Sequence, residues 1–175
     1  MKKQVCIALV LLLLGSVLFA GDASVFDISI INNYRMEDVS DLNYEAYVPT
    51  LRLQANLNDW FGLSVGGMYD YLKYSDSIHR ILIATEAVVR APLGMVEPFL
   101  ALGPVYTLTL DDPSDAYGFQ GRLGLDVAVN SWFSLGLEGA LVIPSLTPLV
   151  EGTETFTTDY LMKNLFVGLA FKAKF

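Results

Sequence analysis

Apolar and polar residues alternate with a period of two along most of the chain, and this pattern restricts the possible folds more than any other feature. In the last segment, apolar residues recur at every second position from Leu165 to Phe175, and small or basic residues fill most positions between them. Successive side chains of a β-strand point to opposite faces, so the spacing predicts strands with two unlike faces. The same alternation occurs over Leu51–Leu57, Phe119–Val129 and Phe133–Ile143. Beyond residue 20 no segment shows a sustained helical period, and the predicted fold class is all-β.

Short and long connections alternate between these segments. The short ones lie at Asn58-Asp59, Pro92–Val96 and Asn130-Ser131. The long ones cover Met36–Asn43, Ser75–Ser77, Asp111–Tyr117 and Pro144–Thr157. Transmembrane barrels show this asymmetry, and closure leaves no unpaired strand edge. The sequence therefore predicts a closed antiparallel eight-stranded up-and-down transmembrane β-barrel, with both termini on the short-turn side and strand one, near Phe26–Arg35, paired with the last strand.

Two of the short turns have similar sequences. Leu57–Leu63 and Val129–Leu135 share an Asn, then a small or acidic residue, then Trp-Phe. We interpret this likeness as one geometric requirement met twice, because repeat arrays need three or more units to bury a core.

The N-terminus has the order of a secretory signal peptide. Lys2 and Lys3 precede an apolar stretch from Val5 to Ala20, which is shorter than the ~20 apolar residues that a spanning helix needs. We predict a helical signal peptide at residues 1–20, with cleavage after Ala20 or as late as residue 23, and a barrel domain at residues 21–175. Cys6, the single cysteine, would leave with the signal, so disulfides are not expected.

Charge and composition narrow the function classes. Charged residues make up 17% of the chain, below the ~25% usual for soluble domains. The net charge of −8 argues against a nucleic-acid partner, whose phosphates require Lys and Arg. No phosphate-binding glycine loop, zinc-ligand spacing or nucleotide fingerprint occurs, so we expect no cofactor and no metal site of those kinds.

Alternation alone does not decide whether the apolar face contacts lipid or a protein core, since a lipocalin-like soluble barrel also alternates. The other face is built from Gly, Ser, Ala, Thr and scattered charges, which fit the narrow interior of an eight-stranded barrel. Aromatic residues are also sorted toward the two strand ends, as in the aromatic belts of membrane proteins. The predicted belts comprise Tyr34, Tyr69, Tyr71 and Tyr106 beside long connections, and Trp60, Phe61, Trp132 and Phe133 beside short ones. Both observations favour the membrane barrel.

Charged residues on the small-residue face are predicted to point into the barrel. They are Asp27, Arg52, Asp70, Arg80, Glu86, Arg90, Arg122, Asp126, Glu138, Lys172 and Lys174. Buried charges persist only when they are paired and hydrogen-bonded. We therefore predict a lumen ion network of Arg52, Glu86, Arg90, Arg122, Asp126 and Glu138, either structural or forming a gate in a narrow conduit.

Two further features are weaker candidates. His79, the only histidine, lies near Ser75, Asp76 and Ser77, a set comparable to the His and Ser of small barrel lipases and acyltransferases, but the spacing defines no catalytic triad. The first, third and last long connections contain only acidic charges, at Glu37, Asp38, Asp41, Asp111, Asp112, Asp115, Glu151 and Glu154. Solvation and a divalent-cation site both remain open for these carboxylates.

The signal peptide, the eight-strand spacing, the asymmetric connections and a last strand ending in Phe175 resemble the small outer-membrane β-barrels of the OmpA, OmpX and OmpW type. Glu97–Pro104 also resembles the start of a strand in related barrels. The resemblance implies an integral location in the bacterial outer membrane, in contact with outer-membrane lipid. It also implies a signal for the barrel-assembly machinery at Leu169, Phe171, Ala173 and Phe175, in which Ala173 is smaller than the residue usual there.

Three functions follow from these observations. The leading expectation is a structural or surface-interaction barrel whose external loops could hold an extracellular ligand. The second, implied by the resemblance to the OmpW type, is a passage for small hydrophobic molecules, for which Met68, Phe99, Val105 and Phe166 give only a partial apolar lining. The third, least favoured, is a lipid-modifying enzyme, and no catalytic residue is assigned.

Overall fold

A computed structural model describes residues 25–36, 46–73, 77–110, 116–152, 155 and 157–175. The predicted signal peptide and the acidic residues of the first and third long connections lie outside these ranges. Within the described part of the chain, no helix has the length and hydrophobicity needed to cross a membrane.

Eight antiparallel strands form a closed barrel in which each strand pairs with the next along the chain and the last pairs with the first. The strands are β1 (Phe26–Arg35), β2 (Tyr47–Asn56), β3 (Phe61–Lys73), β4 (Ser77–Arg90), β5 (Val96–Thr109), β6 (Ala116–Asn130), β7 (Phe133–Ile143) and β8 (Leu165–Lys174). The predicted fold class is confirmed.

The barrel closes between β1 and β8. Their register runs from Asp27 opposite Lys174 to Arg35 opposite Phe166. Backbone hydrogen bonds between Phe26 and Phe175 extend the pairing to the end of the chain, at 3.2 and 2.8 Å. The chain's last residue therefore takes part in closing the barrel.

The two faces of the strands differ as their alternation predicts. Leucines on the outer face are widely exposed, for example Leu53 at 49% and Leu123 at 66%. Arg52 and Arg122, each one residue away, are at most 4% exposed. Ala55 departs from the pattern. The alternation places it on the outer face, but it is only 2% exposed, because its partners in the register are the larger residues Phe26 and Leu63.

Asparagine side chains close two of the short turns in similar ways. Asn58 Oδ1 accepts from the backbone N–H groups of Trp60 and Phe61, at 2.8 and 2.9 Å. Asn130 Oδ1 accepts from the Trp132 N–H at 3.0 Å. This local side-chain-to-backbone bonding is typical of Asn in turns, and it accounts for the similar turn sequences.

The other connections differ from the prediction in two places. The connection predicted at Ser75–Ser77 lies one residue earlier and is short, not long: β3 and β4 remain paired as far as Lys73 opposite Ser77, and residues 74–76 separate them. The connection after β7 contains two short helices, α1 (Thr147–Val150) and α2 (Thr158–Lys163). Neither helix is long enough to produce a recognisable helical period, which is why sequence patterning missed them.

The barrel interior as the candidate functional site

Two arginines and two glutamates form a buried group near the middle of their strands, here called the ionic cluster: Arg52, Glu86, Arg122 and Glu138. Each residue is at most 4% exposed. Arg52 donates to Glu138 through both terminal nitrogens, at 2.9 and 3.2 Å. Arg122 donates from Nε and Nη2 to Glu86, both at 2.8 Å, and from Nη1 to Glu138 at 3.0 Å. Arg52 Nε lies 3.8 Å from Glu86 Oε2, so each carboxylate lies between both guanidinium groups.

Uncharged side chains complete the hydrogen bonding of Glu86. Ser64 Oγ donates to Oε2 at 2.8 Å, and Gln120 Nε2 donates to Oε1 at 3.1 Å. The formal charges of the ionic cluster sum to zero. A buried charge is tolerated only when it is paired and hydrogen-bonded. The four charged side chains of the ionic cluster can therefore remain buried in the barrel without a bound counter-ion.

Small residues on the strands between make room for these long side chains. Gly66 lies opposite Arg52 in the register, and a Cβ there would lie 3.6 Å from the Arg52 Nε. Ala101 and Ala140 lie opposite Arg122 on either side. The small residues on the inner face therefore have a specific use, which is to give space to charged neighbours at the same depth.

The structure separates the other two members of the predicted network from the ionic cluster. Asp126 pairs with Lys172 on β8. Arg90 lies nearer the short turns, where it donates to the carbonyl oxygens of Asp59 at 3.0 Å and Asn58 at 2.7 Å. Arg90 thus ties β4 to the β2–β3 turn. Its acidic neighbours are more distant, Glu97 at 3.6 Å and Asp27 at 3.8 Å.

Phe99 lies among the buried cations, a role that its sequence position does not suggest. The Arg122 guanidinium carbon is 5.1 Å from the centre of its ring, and the Lys172 ammonium nitrogen is 5.5 Å from it. Gly124 lies opposite Phe99 in the register, and a Cβ there would come within 2.6 Å of the ring. Glycine at position 124 therefore allows the aromatic ring to stay beside both cations, an arrangement that stabilises buried positive charge.

An apolar layer lies beside the ionic cluster, toward the end of the barrel where the first, third and last long connections leave it. Its members are buried and contact one another as a single hydrophobic group: Val48, Met68, Leu82, Ala84, Val105, Ala140, Val142 and Phe166. Three of the four residues expected to line the lumen, Met68, Val105 and Phe166, belong to this layer, whereas Phe99 packs among the charges.

A second charged group lies at the same end of the barrel, beyond the apolar layer. Asp70 is fully buried and accepts from the guanidinium groups of both Arg35 and Arg80. The inward parity of Asp70 and Arg80 is apparent from the sequence. Their link to Arg35 is not, because it depends on the offset between β1 and β3, which lie on either side of β2.

Free space in the interior is small. A cavity of about 10 Å³ lies between the ionic cluster and the short turns, with Gln54, Glu97 and Ala170 among its lining residues. A second cavity, also of about 10 Å³, lies near Thr50 and Met68. Side chains of the ionic cluster line both cavities, since Arg52 borders each of them.

The predicted aromatic belts lie on the outer face at opposite ends of the barrel. Tyr34 contacts Tyr47 at a ring-centre distance of 5.5 Å, and Tyr106 contacts Tyr117 at 5.2 Å. Tyr69 and Tyr71 flank His79 from the neighbouring strand. At the short-turn end, Trp60, Phe61 and Trp132 are more than half exposed, and Phe133 lies 5.9 Å from Trp132.

The residues proposed as the assembly signal share the outer face of β8. Leu169, Phe171 and Phe175 are 59%, 45% and 69% exposed, and Ala173 is partly exposed. Their side chains are therefore accessible from outside the barrel.

His79 is part of the outer aromatic belt. Its Nδ1 and the Tyr69 hydroxyl are hydrogen-bonded at 2.7 Å. Ser75 and Asp76 lie outside the described residues, and Ser77 is the first residue of β4, two positions before His79. Among the residues that the structure describes, no three His, Cys, Asp or Glu side chains come together as a metal site.

The sequence matches no protein-family model and no curated protein. Solved structures do match. The N-terminal β-barrel domain of Pseudomonas aeruginosa OprF is 12% identical with a TM-score of 0.58, and 86% of this chain and 96% of that chain are covered. The outer-membrane protein OprG from the same organism is 13% identical with a TM-score of 0.55, covering 89% and 98%. Neisserial surface protein A is 15% identical with a TM-score of 0.52, covering 89% and 100%. The chain thus has the fold of the eight-stranded outer-membrane β-barrels, as the sequence resemblance indicated.

Proposed function

We propose that this protein is an integral barrel of the bacterial outer membrane whose side-chain-filled lumen makes it a structural and surface-interaction protein. The observation that carries the proposal is the opposition between the two faces. Exposed leucines and other apolar residues cover the outside, whereas the ionic cluster and the apolar layer fill the inside. A surface of this kind is stable in hydrocarbon, and a lumen so filled supports the barrel from within.

Leu53→Arg and Gln54→Arg test whether residue 53 faces lipid while residue 54 faces the lumen. Leu53→Arg should destabilise the barrel by about 2–4 kcal/mol if residue 53 faces the middle of the bilayer. Gln54→Arg should be tolerated better, because Gln54 points inward with its Nε2 3.5 Å from Asp27 Oδ2. Reversible urea unfolding in lipid vesicles measures both variants. Equal damage from the two substitutions would contradict the proposed lipid-facing surface.

A narrow conduit for small hydrophobic molecules is the alternative. The apolar layer favours it over part of the lumen, but the ionic cluster opposes it, because an apolar solute would have to pass four buried charges. Flux of uncharged solutes into vesicles that contain the purified protein separates the two functions. We expect flux equal to that of protein-free vesicles, and reproducible solute-selective flux would replace the structural proposal.

Location is tested in cells. The full chain should fractionate with the outer membrane and should migrate differently on gels before and after heating, as a closed barrel that resists detergent does. Recovery of the processed protein as a monodisperse species in detergent-free buffer would refute the membrane location.

We further propose that the outer face of β8 is read by the barrel-assembly machinery. Removal of Phe175 should lower the amount of folded protein in the outer membrane of cells. Refolding of the same variant into vesicles should change less, because that reaction needs no machinery. Phe119→Leu is the control, since it replaces an outward aromatic residue on β6, outside the proposed signal, with another apolar side chain. If deletion lowers yield equally in cells and in vesicles, Phe175 acts through barrel closure with Phe26 and not as a signal.

A non-catalytic role agrees with the geometry around His79, which is hydrogen-bonded to Tyr69. Replacing His79 with Ala should leave any phospholipid or lipid A turnover in the purified protein at the background level. Turnover that depends on His79 would instead support the enzyme hypothesis.

A further inference from the structure

A carboxamide side chain interrupts the apolar outer surface of the barrel. Asn32 lies on the outer face of β1, between the outward residues Ile30 and Tyr34. Its partners in the register are Pro49 on β2 and Leu169 on β8, and Ile30 and Leu169 are 58% and 59% exposed. Since β1 is paired on both sides at this position, the Asn32 side chain stands on the barrel wall and not in a connection.

One end of the Asn32 carboxamide is bonded within the protein, and the other end is available. The Tyr47 hydroxyl donates to Asn32 Oδ1 at 2.8 Å. Among the residues that the structure describes, none accepts a hydrogen bond from Asn32 Nδ2, and the side chain is partly exposed. An amide N–H without an acceptor is costly in hydrocarbon. The position of Asn32 on the wall therefore calls for an acceptor from outside the protein.

The depth of Asn32 in the wall indicates the chemistry of that acceptor. Tyr34 and Tyr47 are neighbours in the aromatic belt at the long-connection end, with ring centres 5.5 Å apart. Asn32 is the next outward position of β1 toward the middle of the wall, about 5 Å deeper along the membrane normal for a tilted strand. Belt tyrosines mark the boundary between lipid headgroups and acyl chains. The acyl ester carbonyls of lipids lie at this boundary, and they accept hydrogen bonds but donate none.

We propose that Asn32 binds an acyl ester carbonyl of a membrane lipid through its Nδ2 group, and that the hydrogen bond from Tyr47 orients the carboxamide for this contact. The inference rests on the proposed membrane location. Exposed apolar residues of three neighbouring strands surround Asn32 and suit the acyl chain that continues from the carbonyl: Ile30, Leu51 and Leu169. The lipid is thus recognised by one polar donor set in an apolar wall.

Vesicles with and without ester carbonyls test the proposal. The full-length native protein and Asn32→Leu are refolded into diacyl phosphatidylcholine and into dialkyl-ether phosphatidylcholine with chains of equal length. The two lipids share a headgroup, but the ether lipid has no carbonyl. Urea unfolding gives the folding equilibrium constant of each protein in each lipid. Thr85→Val is the matched control, because Thr85 is an outward polar residue near the middle of β4, deeper than the ester groups.

The readout is the ratio of the native folding constant to that of each variant. For Asn32→Leu we expect this ratio to be at least about fivefold larger in the ester lipid than in the ether lipid. For Thr85→Val the ratio should be the same in both lipids. An Asn32→Leu ratio that is equal in the two lipids overturns the proposal, because water or Tyr47 alone would then satisfy the carboxamide. A native protein that inserts into neither kind of vesicle contradicts the membrane location, whereas equal ratios in a protein that inserts remove only the inference about Asn32.

Discussion

The ionic cluster and the apolar layer occupy neighbouring levels of one lumen but are stabilised in different ways. In the ionic cluster, Arg52 and Arg122 share two carboxylates through hydrogen bonds of 2.8–3.2 Å. In the apolar layer, buried side chains such as Leu82 and Val142 contact one another without polar partners. Directional hydrogen bonds between opposite charges stabilise the ionic cluster, whereas close packing of apolar side chains stabilises the apolar layer.

This difference indicates how each level should respond to change. Removal of one member of a charge group leaves a buried charge without its partner, which costs more than the lost bond. Removal of atoms from an apolar layer costs the transfer free energy plus a cavity, and a side chain of similar volume can repair it. The predictions below use these opposite sensitivities, from the largest expected effect to the smallest.

Glu86→Ala should have the largest effect, a loss of about 3–5 kcal/mol in the free energy of unfolding. The substitution removes the carboxylate that accepts from Arg122 Nε and Nη2 and from Ser64 and Gln120. Urea unfolding in lipid vesicles measures the change. Glu97→Ala is the control, since the Glu97 side chain is 17% exposed and its cationic neighbours are 3.6 and 3.9 Å away. We expect the control to lose no more than about 1 kcal/mol. Equal losses would show that burial does not distinguish the two glutamates.

Leu82→Ala should cost about 2–4 kcal/mol, because it leaves a cavity in a layer where the leucine is 3% exposed. Leu82→Met keeps the volume, so it should cost less than about 1.5 kcal/mol. The same unfolding assay compares the two variants. If methionine is as damaging as alanine, simple volume does not govern the apolar layer, and the contrast with the ionic cluster is lost.

The paired substitution Arg52→Met with Glu138→Leu should have the smallest effect, within about 1 kcal/mol of the native protein. It removes one positive and one negative charge together and leaves Glu86 hydrogen-bonded to Arg122. Each single substitution should destabilise the barrel more than the pair does. A double-mutant cycle measures the coupling, and a pair that is worse than either single variant would refute the charge-balance explanation.

Sequence patterning predicted the facing of side chains better than it predicted their partners. Parity places Arg90 and Arg122 on the same inner face, but Arg90 binds turn carbonyls while Arg122 joins the ionic cluster. Arg52 and Glu138 are 86 positions apart in the chain, so their contact follows from the strand offset accumulated around the barrel. Local spacing carries no information about that offset.

The connections between strands also show what local sequence patterns fail to predict. The polar residues at 75–77 were predicted to form a long loop, although cross-strand pairing of β3 and β4 continues to Lys73 and Ser77. The helices α1 and α2 are short, and the segments beside them are hydrogen-bonded to β6 and β7. Composition identifies connections as polar, but the pairing of the flanking strands decides where each one begins.

The sequence by itself determined that the strands have two unlike faces, that charges point inward, and that aromatic residues gather at the strand ends. A strand repeats every two residues, so the side of the sheet can be read directly from the order of residues. Only the tertiary structure decided which charge meets which and how the lumen divides into ionic and apolar levels. These features depend on the relative depth of residues on different strands, which is set when the barrel closes between β1 and β8.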